Sequence, residues 1–267
     1  MSEFYLDHAA LLYLLDSVEA TALVSLAPAH LFPADADERK HTLKQGEHYL
    51  ARTGLLQFGW GGTPKLDARL ASIATTIAFP KIAVLILAND RQHGLQLFWF
   101  YQTQEHIVEH TFTAKKLHRL TELPDVAALI ARLETILAIQ DTSPAIPISL
   151  RREIDQNAFF TVKNHAKQHN LAEATAILHD YGFTDQDAAS FLQVLTHPFA
   201  AGNVAFLRCE HETVIDGRNI ALLQDEEHGL WSARQNVPGI PTLVVETTDA
   251  ATLDKQLHSY FKELSLV

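Results

Sequence analysis

One pattern occurs twice in this chain, and that duplication limits the possible folds more than any other feature. The stretch 80–112, PKIAVLILANDRQHGLQLFWFYQTQEHIVEHTF, reads as three short strands divided by two polar breaks, and the same order of runs and breaks returns at 198–236. Residues 82–87 form a continuous apolar run, as a strand covered on both faces requires. Past the turn-forming residues 89–94, alternation puts Leu95, Leu97, Trp99 and Tyr101 on one face and Gln96, Phe98, Phe100 and Gln102 on the other. In the second copy 204–207, 219–223 and 230–233 take those places, with Asp216-Gly217 as the turn. Pro80 matches Pro198, Gly94 matches Gly217 and His106 matches His228, at a separation of roughly 120 residues, far beyond any solenoid period. The expected class is α+β, with two quasi-twofold related halves, each an antiparallel β-meander with flanking helices.

Helical patterns frame each meander. Asp7 caps a first helix, and a strand follows at 22–26; 29–37, which holds Pro33 and follows Pro28, then marks a loop. A second helix starts near Asp37, carries Leu43, Tyr49 and Leu50 on one face, and stops at Gly54. Leu66, Leu70, Ile73 and Ile77 stripe a third, which must pack on the sheet that follows. After the strands come an edge strand at 117–120 and a closing helix with Pro124 in its first turn. In the second half 157–181 gives two helices broken near Asn170 and ended by Gly182, 184–196 gives a third, and 249–264 closes. The prolines of 141–148 set the boundary: a first half at 1–140, a linker at 141–148 and a second half at 149–267.

Bulk properties remove several function classes. The 267 residues can bury a real core, and no apolar run nears the roughly 20 residues a bilayer demands, so membrane insertion is not expected. With 32 acidic against 21 basic residues the net charge of -11 disfavours nucleic acid and anionic membranes. The start MSEFYLD lacks the basic residues of a secretory signal, which predicts a cytoplasmic protein. The single cysteine, Cys209, allows no internal disulfide and reads as a buried thiol.

Two stretches invite chemistry. His106-Ile107-Val108-Glu109-His110 fits the H-x-x-E-H pattern of inverted zinc peptidases, which need it on a helix so that both imidazoles share one face. Its flanks are strand-like, and on a strand the two histidines stand about 13 Å apart. No metal or other cofactor is therefore expected. Phe58-Gly59-Trp60-Gly61-Gly62-Thr63-Pro64 has too much glycine for regular structure and lacks the Lys-Ser/Thr pair of a phosphate loop. It reads either as a connector with a packed Trp60 or as a loop that shows Trp60 to a partner. Ser25, Ser72, Ser190 and Ser259 have no G-x-S-x-G context, so a hydrolase elbow is absent.

From Ala174 the order A..IL..YGF, G.V.FL, DGR.I.LLQDEEHGLW and P.LVVETTDA resembles the EspG family, cytosolic chaperones of type VII secretion. In the first half GLLQFGWGGTPKLDARLASIATTIAFP is similar to that family's helix before the sheet, with the Gly-Trp loop and the low basic content as departures. The resemblance implies a quasi-twofold α/β fold that binds a helical secretion substrate without catalysis. The leading expectation is a non-catalytic protein-binding module for a protein partner with an exposed apolar helical surface, contacted through Trp60, Phe98, Phe100 and Trp231. A metal-dependent hydrolase using His106, Glu109 and His110, and a sensor with a small-ligand pocket between the halves, are the alternatives.

Overall fold

The computed structural model describes residues 2–24, 32–90, 94–137, 139, 150–225, 227–235 and 239–265; the expected linker, 141–148, lies outside them. The chain opens with strand β1 (Glu3–Leu6), after which the Asp7 carboxylate accepts the Ala10 N–H at 2.7 Å and starts α1 (His8–Ser17). The strand expected at 22–26 is not formed over its described part, 22–24, where Leu23 packs into the core instead. Asp35 caps α2 (Ala36–Arg52), and Gly54 stops it with a φ of +76°, which glycine adopts without strain. Gly46 lets α2 lie against α1: a Cβ there would sit 2.1 Å from the Ala9 carbonyl oxygen.

A small hairpin, β2 (Leu56–Phe58) with β3 (Pro64–Leu66), occupies the glycine-rich stretch where no regular structure was expected. Asp67 then accepts the Arg69 and Leu70 N–H groups and caps α3 (Ala68–Ala78), whose Leu70, Ile73 and Ile77 are buried as their spacing predicts. The first meander is β4 (Ile82–Asp90), β5 (Gly94–Gln102), β6 (Ile107–Phe112) and β7 (His118–Leu123), closed by α4 (Val126–Ile136). Two expectations change here. The strand expected as an edge at 117–120 is the longer β7, and it is interior because β1 pairs outside it with Phe4 opposite Leu120. Pro124 stands ahead of α4 rather than in its first turn, because Asp125 takes the Ala128 N–H at 2.7 Å and sets the start.

The same order returns. It comprises β8 (Arg151–Asp155), α5 (Gln156–Lys167), α6 (Leu171–Asp180), α7 (Asp185–Thr196), then β9 (Ala200–Glu210), β10 (Thr213–Asp225), β11 (Gly229–Gln235) and β12 (Thr242–Thr248), and finally α8 (Ala250–Ser265). Thr184 and Asp187 form a reciprocal capping box at α7. The expected turn at Asp216-Gly217 is instead the interior of β10. The chain reverses at His211-Glu212, where His211 takes a φ of +53° and the Glu212 carboxylate accepts hydrogen bonds from Thr21 and Ala22. The tip of this hairpin is thereby tied down by a side chain the turn itself supplies.

Ten strands form one sheet in the order β1-β7-β6-β5-β4-β9-β10-β11-β12-β8. Each half thus returns its own first strand to flank its last meander strand, antiparallel in both cases. The chain divides into two compact units, one of 1–85, 98–129 and 207–216, the other of 86–97, 130–206 and 217–267. Their limits fall inside β4, β5, α4, β9 and β10, so the compact units and the sequence halves do not coincide. The first unit buries Leu6, Leu11, Leu15, Leu70 and Ile77 with Trp99, Tyr101 and Leu120; Cys209 joins them, its thiol pushed up to about 11 by burial. In the second, Phe159, Leu178 and Phe191 cover Trp231 and Val245. Each large apolar side chain so buried contributes about 1.5–3 kcal/mol relative to exposure.

Candidate functional site

Of the four aromatic residues expected to meet a partner, the structure exposes one. Trp60 is fully exposed at the tip of the β2–β3 hairpin, with Phe58 half-exposed beside it. The connector reading with a packed indole is therefore overturned. The Gly59 N–H donates to the Thr63 carbonyl at 2.9 Å and the Gly62 N–H to the Gly59 carbonyl at 3.1 Å, which closes the loop. Gly61 and Gly62 both take positive φ, a conformation that side chains resist. The base is fixed by buried Leu56 and by the Asp67 N–H, which donates to the Leu55 carbonyl at 2.9 Å. A turn held this way offers its indole at little further entropic cost.

Phe98, Phe100 and Trp231 are interior, with exposures of 7%, 1% and 1%. Residues 98–101 of β5 and 229–233 of β11 are buried on both faces, so these rings do not form an exposed contact surface. Trp231 donates its Nε1–H to the His228 carbonyl at 3.0 Å and packs 5.2 Å from the Phe191 ring. Alternating apolar runs announced these rings as strand residues, but a sequence pattern that is apolar on both faces signals double coverage rather than display.

The H-x-x-E-H residues do not converge. His106 precedes β6 and its Nδ1 lies 3.0 Å from Glu122; His110 points into the core and Glu109 to the opposite face, 3.5 Å from Arg119. Alternation turns Glu109 away from His110, and the rise along the chain keeps the two imidazoles apart, as the strand-like flanks predicted. Among the described residues no three His, Cys, Asp or Glu side chains are grouped to hold a metal ion. His106 and Glu122 line a cleft of about 440 Å³ with Ser2, Arg69 and Ser72. Ser72 donates to the Ala68 carbonyl of its own helix and not to His106. The matching His228 bonds Asp225 at 2.7 Å; burial there raises the carboxyl, yet hydrogen bonds from His228 and two backbone N–H groups outweigh it and hold the acid below its usual range.

Sequence reasoning missed His118. Its Nδ1 lies 2.9 Å from His110 Nε2, and only the β6–β7 register, Phe112 opposite His118, brings them together.

No protein-family model and no curated protein matches the sequence. A solved structure does: the type VII secretion system chaperone EspG5 of Mycobacterium tuberculosis in complex with a PE25–PPE41 dimer, at a TM-score of 0.70 and 12% identity, over 97% of this chain and 96% of that one. The fold is EspG-like. At that identity the likeness extends to the architecture, which here includes a ten-stranded sheet and helices. Among the described residues no helix of this EspG-like chain is long and apolar enough to cross a membrane.

Proposed function

We propose that this chain is a non-catalytic, cytoplasmic chaperone that holds a protein through an exposed apolar helical surface. The observation that carries it is overlap over nearly the whole of both chains with a chaperone solved in a complex with its protein dimer. The fully exposed Trp60 supports the reading, since tryptophan is among the commonest interface anchors and here forgoes burial in its own fold. The net charge of -11 points away from nucleic acid. The partner in this reading is a protein with an exposed apolar helical surface, with Trp60 at the contact.

Co-expression with the products of the genes adjacent to its own tests this. A stoichiometric complex is expected, weakened on the order of tenfold or more by Trp60→Ala while the chain stays folded. Absence of any complex with those products would count against the reading; a complex indifferent to Trp60→Ala would move the contact elsewhere.

A further inference from the structure

Three imidazoles stand in line through the first unit. His8, exposed at the start of α1, has Nδ1 3.4 Å from Nε2 of His118 on β7, and His118 Nδ1 lies 2.9 Å from Nε2 of His110 on β6. His118 and His110 are buried. Their walls are aromatic: Trp99 stacks on His110 at 5.1 Å, Tyr101 lies 6.2 Å from it, and the Phe112 ring sits 5.7 Å from His110 and 4.8 Å from His118.

The elements packed on the pair bring no counter-ion: α3, which also meets β6, has Arg69 as its one charged residue, and its guanidinium donates to Ser2 Oγ. α1 brings His8, and the Asp7 carboxylate ahead of it is committed to the Ala10 N–H. β1 sets Leu6 opposite His118, and β5 brings Trp99 and Tyr101. Glu109 and Arg119 are sequence neighbours of the pair, but alternation turns them to the other face, where they meet at 3.5 Å. Neither His110 nor His118 has an ion pair with a carboxylate among the described residues.

Neutral, the three rings hold three N–H protons. Two occupy the bridges between rings, and the third resides at one end, on His8 Nε2 in solvent or on His110 Nδ1, which is buried with no partner. A fourth proton makes the line cationic inside an aromatic box, beside the positive N-terminus of α1. Burial first and the neighbouring imidazole second hold His110 down to about 3, and burial with His8 holds His118 to about 4. An unfolded histidine takes its proton near pH 6.5, so between these values the open chain binds more protons than the folded one and acid favours opening.

We propose that this line of histidines is an acid-sensitive latch, which keeps α1 on β6 and β7 while neutral and frees that layer in mild acid before the second core opens. Hydrogen exchange on the full chain, corrected for intrinsic rates, reads it at pH 7.5 and 5.0. Amides of α1, β6 and β7 are expected to lose about tenfold or more in protection, those of β11 and β12 no more than about twofold, and His110→Gln to remove most of the difference. Equal loss in both regions overturns the proposal, as does a folded His110→Gln chain that loses protection like the parent. If that variant does not fold, the imidazole nitrogen shifts of the parent decide. Both buried rings neutral at pH 5.5 wherever β6 stays protected supports the latch; a protonated His110 under a protected β6 ends it.

Discussion

The third strands of the two meanders point opposite kinds of side chain into their cores. β11 presents Trp231, whose Nε1–H is satisfied by the His228 carbonyl and whose ring lies among Phe191 and other apolar neighbours. β6 presents His110, bonded to a second imidazole, while its own Nδ1 and the nearby Trp99 Nε1 are buried without partners. A shared topology thus tolerates a non-titrating aromatic anchor beneath the helices of one half and a titratable pair in the other. Sheet pairing is supplied by the backbone, so what lies beneath the helices is free to diverge.

The largest test of that contrast removes the apolar anchor. Trp231→Ala is expected to destabilise by about 3–5 kcal/mol in urea unfolding, because the indole leaves a cavity that rigid phenylalanine rings cannot fill. A loss below about 1 kcal/mol would show that the second core is no better packed than the first. Next comes the helix pair over the histidines. Gly46→Ala sets a methyl 2.1 Å from the Ala9 carbonyl oxygen, so α1 and α2 must part, and about 1–3 kcal/mol is expected with slow exchange lost first in α1. Unchanged exchange in α1 would place the strain elsewhere.

The smallest effect sharpens the comparison through pH. Asp225 has its carboxyl lowered by hydrogen bonds, so it stabilises the fold above its unfolded value near 3.8 and loses that contribution only as the pH falls further. Asp225→Asn is accordingly expected to cost about 1 kcal/mol at neutral pH and nothing near pH 2. The first half behaves differently: its depressed histidines stabilise fully above about pH 6.5 and begin to fail below it. A thermal melt series across pH distinguishes a carboxylate edge from an imidazole edge, and a cost for Asp225→Asn that persists at pH 2 would remove the first.

Much of the fold was legible from local chemistry. Asp7 and Thr184 declared helix starts, Gly54 and Gly182 declared stops, and the strand positions followed from apolar runs. Four-residue β1 and five-residue β8 were not seen, being too short and too polar to show a period. A signal was present nonetheless: in Leu6-Asp7 and Ile154-Asp155 an aspartate at or just past the strand end caps the next helix. The β10 turn was misplaced because Asp-Gly is the stronger local turn former, and the Glu212 carboxylate overruled it through contacts 190 and 191 residues away. Of the candidate site, Trp60 was singled out for its glycines, but its exposure is a tertiary fact. The His110–His118 pairing was hidden for the same reason, since register alone makes those rings neighbours.

Because β1 lies against β7 and β8 against β12, each half is sealed by joining its earliest residues to its latest strand. On a ribosome the leading segment must therefore wait while more than a hundred residues follow it, with Glu3 facing its mate Thr121 only at the end. Until then β1 has bare hydrogen-bonding edges, the kind that invite pairing with a foreign chain. By this arrangement the chain is most exposed to wrong pairing during its own synthesis.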